Sequence, residues 1–85
     1  MGLSEPLVVL YGREGCHLCE DARAAVERVR AEREFELREV DVTLDPALMR
    51  EYGERIPVIA LDGEEVLELR VDARELSGLV ASMAP

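Results

Sequence analysis

The chain lacks several residue types altogether. It contains no lysine, asparagine, glutamine or tryptophan, so all 10 basic residues are arginines, against 19 aspartates and glutamates. The formal net charge of −9 argues against a nucleic-acid or anionic-membrane partner, because both require a basic patch. No apolar run is long enough to span a bilayer, and the N-terminus lacks the charged-then-apolar layout of a signal peptide. We therefore expect a soluble, cytoplasmic protein.

Cysteine is equally scarce, since Cys16 and Cys19 are the only two. They cannot be one corner of a larger disulfide framework. As a staple the pair would contribute little, because chain entropy gives about 2 kcal/mol for so short a loop against about 4 for one of ~60 residues. A zinc site needs four ligands, and the pair with His17 supplies at most three. In a cytoplasmic protein a CxxC motif is more often catalytic than structural.

The position of this motif favours redox chemistry. An apolar run, Leu7 to Tyr11, predicts a buried strand before it. A helical pattern from Glu20 to Glu32 follows it, with an apolar stripe formed by Ala22, Ala25, Val26 and Val29. This order places Cys16 at a helix N-terminus, where unpaired N–H groups and the positive dipole end favour the thiolate. Thiol–disulfide exchange is the leading interpretation. An inert cysteine pair, and a metal or cluster site shared between two subunits, are the alternatives.

The central segment predicts a second strand and a second helix. Phe35 to Val42 has strand character, but its apolar residues change face, which predicts a bulge near Arg38-Glu39. Asp45-Pro46 predicts a helix N-cap followed by proline at the first helical position, with an end near Gly53. The residues expected on the inner face of this helix are Leu44, Leu48 and Tyr52.

The last third predicts a hairpin and a closing helix. A strand from Ile56 to Leu61 leads into Asp62-Gly63, a strong hairpin-turn signal. A partner strand from Val66 to Val71 follows. Asp72 and Glu75 predict a capping box for the last helix. Leu67, Leu69 and Val71 are expected on one face of the strand, and Leu76, Leu79, Val80 and Met83 form the apolar stripe of the helix.

The resulting element order is β-α-β-α-β-β-α. A right-handed crossover makes the first two strands parallel, and the hairpin adds an antiparallel pair. We predict one α/β domain over residues 1–85, a monomer built as a three-layer sandwich around a four-stranded mixed sheet.

With CxxC after the first strand and an Ile-Pro step opening the third, the chain resembles the glutaredoxin branch of the thioredoxin-fold family over nearly its full length. It looks closest to a small bacterial glutaredoxin-like group with the Tyr-x-x-x-x-Cys-x-x-Cys opening and an Arg-Ile-Pro-Val step. The resemblance implies that Pro57 is cis and faces the cysteines. It also implies that Ile56 offers its backbone to a disulfide-bearing substrate.

The resemblance also suggests where glutathione would bind. Many glutaredoxins carry a lysine three residues before the first cysteine, which binds a glutathione carboxylate; Arg13 stands there and could act through a bidentate fork. Arg55 replaces a typical threonine; as a cation two residues before Pro57, it is expected to line the same groove as Arg13 and to bind a glutathione carboxylate. In the family, a Gly-Gly turn and a following Thr-Asp hold the glutamyl end of glutathione, and only the aspartate, Asp72, is present here. The presence of Asp72 is explained equally well by a role as helix cap. His17, beside Cys16, is a candidate for stabilising the thiolate, an effect that Glu14, Glu20 and Asp21 would oppose.

The function predicted is that of a small thiol–disulfide oxidoreductase without a resident cofactor or metal. Cys16 attacks the disulfide of a protein or glutathione, and Cys19 resolves the mixed disulfide. A reductase or glutathione supplies the electrons. One alternative is an iron–sulfur carrier in which two chains share a cluster with glutathione as co-ligand. The other is a redox-inactive adaptor that keeps only the fold.

Overall fold

The computed structural model describes residues 5–83 and has the predicted order of elements. Four strands form one mixed sheet in the order β2-β1-β3-β4, in which β1 pairs parallel to β2 and antiparallel to β3, and β3 pairs antiparallel to β4. The elements are β1 (Leu7–Gly12), α1 (His17–Arg30), β2 (Glu36–Asp41), α2 (Pro46–Tyr52), β3 (Val58–Leu61), β4 (Glu64–Glu68) and α3 (Ala73–Met83).

The two faces of the sheet carry two separate apolar clusters, as a three-layer sandwich requires. On one face, α1 and α3 cover the alternate residues of β1 and β3, because side chains along a strand point to opposite sides. On the other face, α2 lies over the end of β1 where the cysteines are. We call the first set the core cluster; its buried members are Val8, Leu10, Ala22, Val26, Val29, Phe35, Ile59, Leu61, Leu76 and Val80. We call the second the cysteine cluster; its buried members are Cys16, Cys19, Val42 and Ile56.

The apolar stripes predicted for α1 and α3 are confirmed. The residues that share the apolar face of α1, namely Ala22, Ala25, Val26 and Val29, are all buried, and Leu76 and Val80 of α3 are buried in the core cluster. The Nε group of Arg33 donates a hydrogen bond to Ser77 Oγ at 2.8 Å and so joins the two helices outside the core. At 14 residues, α1 is the longest helix of the described part of the chain, and none of these helices has the length and apolarity that a bilayer span requires.

The bulge predicted in β2 is wrong. The β1–β2 register runs without interruption from Leu7 opposite Glu36 to Gly12 opposite Asp41. The change of face has another cause: the sheet has an apolar cluster on each side, so that Leu37 packs against the core cluster while Val42 is buried in the cysteine cluster. The strand ends at Asp41, whose carboxylate accepts from Thr43 N–H at 2.9 Å and caps a 3₁₀ turn over Val42–Leu44. A bulge occurs instead in β4, where Leu67 pairs with Ile59 but Glu65 pairs with Ala60.

The partner strand of the hairpin begins and ends earlier than predicted. Asp62 (φ 49°) and Gly63 (φ 91°) form a tight two-residue turn, so pairing resumes at once, with Glu64 opposite Leu61. The strand stops at Glu68 because Leu69 has φ 69°, which leaves the ladder and exposes 41% of the residue. The expectation that Leu67, Leu69 and Val71 share one buried face is therefore wrong for Leu69.

Capping of α2 is confirmed, whereas its inner face needs one correction. Asp45 Oδ1 accepts from Ala47 N–H at 2.9 Å, and Pro46 occupies the first helical position. Leu48 packs against the cysteine cluster as expected. Leu44, however, is 81% exposed because it belongs to the 3₁₀ turn before the cap and not to the helix.

Candidate functional site

The two cysteines lie at the N-terminus of α1. Cys16 is the N-cap residue, with extended backbone (φ −98°, ψ 111°), and its Sγ accepts a hydrogen bond from Cys19 N–H at 3.1 Å. The pair is joined as a disulfide, with its Cα atoms 5.1 Å apart. The same N–H group, together with the helix dipole, would face a thiolate on Cys16 once the disulfide is reduced. The predicted placement of Cys16 is confirmed.

The two cysteines differ little in burial, whereas the hydrogen bond from Cys19 N–H is made to Cys16 alone among the described contacts of the pair. Cys16 is 8% exposed and Cys19 is 5% exposed, so neither stands clear of the protein surface. The argument that Cys16 is the nucleophile therefore rests on its position at the cap, where Cys19 N–H donates to it, and not on a difference in exposure.

Gly12, the last residue of β1, leaves room for the second cysteine. A Cβ atom at this position would lie 3.0 Å from Cys19 Sγ and 3.3 Å from Cys19 Cβ. Gly15 then turns the chain into the helix with φ 77°, a conformation that disfavours other residues. The two glycines that punctuate the loop thus have separate roles, one in packing against sulfur and one in the turn.

We expect Gly12→Ala to lower stability by about 1–3 kcal/mol, as overpacking of a close contact does. The added methyl group must displace Cys19 Sγ, so closure of the disulfide from a mixed disulfide should slow as well. Denaturant unfolding and timed mass spectrometry measure the two effects. Gly78→Ala is the control: nothing lies within 4 Å of its added Cβ, and because Gly78 lies inside α3 the change should leave stability unchanged or raise it by up to about 1 kcal/mol. Equal behaviour of the two variants would contradict the role assigned to Gly12.

The Ile56–Pro57 bond is cis, as predicted, and both residues are buried. Ile56 belongs to the cysteine cluster, so the segment before β3 meets the start of α1 there. The carbonyl of Pro57 accepts from Leu69 N–H at 2.7 Å, which ties this segment to the end of β4. The structure thus brings Cys16, Cys19 and Ile56 together; a substrate contact by Ile56 or Pro57 stays a prediction.

A second feature of the site was not predicted: a stack of Tyr11, Tyr52 and Arg55. The tyrosine rings are 4.2 Å apart at their centroids and 17° from parallel, and both pack on the cysteine cluster. The Arg55 guanidinium lies over the Tyr52 ring, 5.3 Å from its centroid. Burial, with smaller effects from Tyr11 and Glu65, raises the pKa of Tyr52 to about 12. The sequence offers no signal for this stack, because its members come from β1, from α2 and from the segment after α2.

Arg55 is bound on its other side by carboxylates. Its Nη1 donates to Glu65 Oε1 and to Glu68 Oε1, both at 3.0 Å, and its Nη2 lies 3.4 Å from Glu51 Oε2. Its Nε and Nη2 also donate to the Glu51 carbonyl, at 3.3 and 3.2 Å. The hydrogen bonds to Glu65 and Glu68 raise the pKa of Arg55 above its ordinary value, so it stays charged throughout. Arg55, one of the two arginines predicted to bind glutathione, is thus already paired with carboxylates of the protein itself.

The hydrogen bond from Arg55 lowers the pKa of the Glu65 carboxyl. The stabilising contribution of this pair is therefore present above the pKa of an unfolded glutamate, about 4.3, and is lost as the pH falls through the lower folded value. We expect the thermal midpoint of Glu65→Gln to fall less steeply with acidification than that of the parent protein. Glu64→Gln, its exposed neighbour, is the control. Parallel pH profiles for all three proteins would contradict the pairing.

The remaining predicted residues lie in three different settings. Arg13 is exposed, and its Nη1 donates to the Glu14 carbonyl at 3.1 Å; with Cys19 it lines a cavity of about 190 Å³. His17 is exposed at the first position of α1. Asp72 caps α3 by accepting from Glu75 N–H at 2.9 Å. Their proposed roles with glutathione or the thiolate stay predictions. Within residues 5–83, no three His, Cys, Asp or Glu side chains gather as a metal site would require.

Comparison with known proteins agrees with this geometry. The family model described as "Glutaredoxin-like domain (DUF836)" matches residues 7–80. A Mycobacterium tuberculosis protein called uncharacterized is 33% identical over 84 residues, covering 93% of this chain and 87% of its own length. The X-ray structure of protein XcR50 from X. campestris is 35% identical with a TM-score of 0.76, covering 92% of this chain and 99% of the other.

Two further solved structures extend the comparison. Protein Ne2328 from Nitrosomonas europaea is 28% identical with a TM-score of 0.76, and the match covers 93% of this chain and 95% of the other. A mutant thioredoxin from Halobacterium salinarum is 25% identical with a TM-score of 0.73, with coverage of 96% of this chain and 77% of the other. The predicted thioredoxin-like fold is confirmed.

Proposed function

Since this chain belongs to the glutaredoxin-like (DUF836) family, we propose that it is a thiol–disulfide oxidoreductase that reduces disulfides through Cys16 and Cys19. The observation that carries the proposal is the disulfide at the start of α1, with Cys16 as the helix cap and Cys19 N–H directed at its sulfur. A redox-inactive adaptor of the same fold would have no need for this arrangement.

The reaction proceeds in two exchanges that balance in atoms and electrons. In the reduced protein, the Cys16 thiolate attacks one sulfur of the substrate disulfide, and the other substrate sulfur leaves as a thiolate that takes up a proton. The Cys19 thiolate then attacks Cys16 Sγ and releases the second substrate thiol. The substrate gains two electrons, and the protein is left with the Cys16–Cys19 disulfide.

The surroundings of the cysteines support each step. The cap position stabilises negative charge on Cys16 in the attacking state and as the leaving group of a reverse exchange. The one-turn spacing keeps Cys19 beside Cys16, so resolution is intramolecular and fast relative to a second encounter. In this proposal Ile56, which belongs to the cysteine cluster, and the neighbouring cis Pro57 dock the substrate backbone, and the exposed His17 adjusts the charge near Cys16.

An electron donor must return the disulfide to the dithiol. We propose a cytoplasmic setting, where transient, catalytic disulfides are the usual kind. The donor is either glutathione or a reductase protein. Arg13 is the residue through which glutathione would be bound, because its guanidinium is exposed beside Cys19.

A redox titration tests the proposal. The protein is equilibrated in glutathione buffers of varied ratio, quenched by acid, and its dithiol, disulfide and glutathione-adduct forms are counted by mass spectrometry. We expect a reversible two-electron transition, and reduction of a protein disulfide when dithiothreitol recycles the protein. Thiols that stay unreactive near neutral pH, or a disulfide that does not turn over with any substrate, would overturn the proposal.

A further inference from the structure

One flank of the disulfide keeps an excess of negative charge although it contains an arginine. The Arg55 flank consists of Glu51, Arg55, Glu65 and Glu68, and three carboxylates there surround one guanidinium. Its formal charge is therefore −2. It adjoins the site, because Arg55 lies over Tyr52, which packs on the cluster that contains both cysteines.

A second flank, which reaches Cys19, has the same formal charge of −2. Two adjoining cavities reach Cys19, and we call them together the Cys19 groove. Within it Arg23 is already paired with Glu39, at 2.7 Å, which leaves Arg13 to face three further carboxylates. The hydrogen bonds from Thr43 hold the pKa of one of them, Asp41, below its ordinary value, so it remains ionised. The charged residues that line the groove are Arg13, Glu14, Glu20, Arg23, Glu39 and Asp41.

We propose that these two anionic flanks select disulfides carried by cationic protein segments, rich in arginine or lysine, and disfavour anionic disulfides such as oxidised glutathione. This inference rests on the proposed function and names the substrate class of the same site. Of the two arginines expected to bind glutathione, Arg55 is neutralised by Glu65 and Glu68, which also disfavours an anionic substrate. Oxidised glutathione has more carboxylates than amines and is repelled by both flanks.

The two flanks do not alter the thiol–disulfide exchange steps themselves; they change the rate at which charged substrates associate with the site. Complementary charge raises local substrate concentration and association rates by about 10- to 1,000-fold at low ionic strength. Both flanks are at the surface, so the effect is screened once the Debye length shrinks from ~30 Å at 0.01 M to ~3 Å at 1 M salt. A charge preference that disappears with salt is therefore the signature of this mechanism.

The test uses three peptide disulfides of equal length in which the cystine is flanked by lysines, by serines or by glutamates, with oxidised glutathione as a fourth substrate. The reduced protein is mixed with each, and the disulfide form of the protein is followed by acid quench and mass spectrometry. At roughly 10 mM salt we expect the lysine peptide to react at least ten-fold faster than the glutamate peptide. The ratio should fall towards one near 1 M salt.

Two double variants separate a local effect from overall charge. Glu14→Gln with Glu20→Gln removes two carboxylates of the Cys19 groove, whereas Glu32→Gln with Glu34→Gln removes two beyond the far end of α1, about 20 Å away at 1.5 Å per residue. Both variants change the net charge equally. The lysine-to-glutamate rate ratio should fall several-fold in the first and stay unchanged in the second; using a ratio cancels any change in thiolate reactivity.

The outcomes are distinct. Equal rates for the three peptides at low salt, faster reaction of glutathione than of the lysine peptide, or equal loss of preference in both double variants would overturn the substrate preference while leaving the oxidoreductase in place. No reaction with any of the four substrates would overturn the proposed function itself, and the preference with it.

Discussion

Replacing Cys16 with serine is expected to reduce disulfide reductase activity to the uncatalysed background, because the attacking sulfur is removed. Replacing Cys19 with serine should leave the first exchange intact and stop the second, so that a mixed disulfide accumulates on Cys16. The two variants therefore differ in kind as well as in rate. Incubation with a disulfide substrate, followed by intact-mass and peptide mass spectrometry, identifies the sulfur that carries the adduct.

Both variants should fold, since serine differs from cysteine by one atom and circular dichroism can verify the helix content. The test is needed because the two cysteine residues are almost equally buried, and it is the helix-cap position with the N–H contact from Cys19 that distinguishes Cys16. Adducts found on Cys19 in Cys16→Ser, with none on Cys16 in Cys19→Ser, would reverse the assignment of nucleophile and resolving cysteine.

The parts of the site that could be predicted from the sequence are those set by local signals. The strand–loop–CxxC–helix order places Cys16 at a cap because periodicity and glycine punctuation act over a few residues. Asp45 and Asp72 cap the helices predicted for them for the same reason. The cis Ile56–Pro57 bond was predicted from the family resemblance, because local sequence signals alone do not indicate a cis bond.

The parts that were missed depend on side chains that are distant in sequence. Tyr11 and Tyr52 lie in different thirds of the chain and stack only because α2 crosses over the end of β1. Arg55 was expected to face a ligand. Its pairing with Glu65 and Glu68 could not be foreseen, because it depends on where the β3–β4 hairpin places those carboxylates. The exposed Leu44 and the bulge in β4 likewise follow from backbone geometry, namely a 3₁₀ turn and a tight hairpin, that apolar patterning does not encode.

These differences change the view of the site. An arginine next to Ile56 suggested a free cation for glutathione, but the structure makes it a bridge from α2 to β4 that lies on Tyr52. Because three carboxylates surround this one guanidinium, the surface around Arg55 has a net negative charge and is not suited to bind an anion. Arg13 and Arg23 both lie beside Cys19, but Arg23 is paired with Glu39, which leaves Arg13 as the candidate cation for glutathione.

The largest expected effect on stability is that of Leu76→Ala in α3. Leu76 is fully buried in the core cluster, where α3 meets α1 and the sheet. Truncating a buried leucine costs about 2–5 kcal/mol, through lost transfer free energy and the cavity left behind. A domain of this size has a total of about 4–13 kcal/mol at ~0.05–0.15 kcal/mol per residue, so the variant should lose a large share of its stability. Because the chain has no tryptophan, unfolding in urea is best followed by far-UV circular dichroism with the disulfide intact.

Leu44→Ala makes the same chemical change at a residue that is 81% exposed, and it should shift stability by no more than about 0.5 kcal/mol. The comparison also separates folding from chemistry. Leu76 belongs to the core cluster and the cysteines belong to the cysteine cluster, so the folded fraction of Leu76→Ala should keep the reactivity of Cys16. Similar stability losses in the two variants would show that α3 is not part of the main core. A change in Cys16 reactivity in folded Leu76→Ala would show instead that the two faces of the sheet are coupled, so that the helix pair on one side helps to set the chemistry of the other.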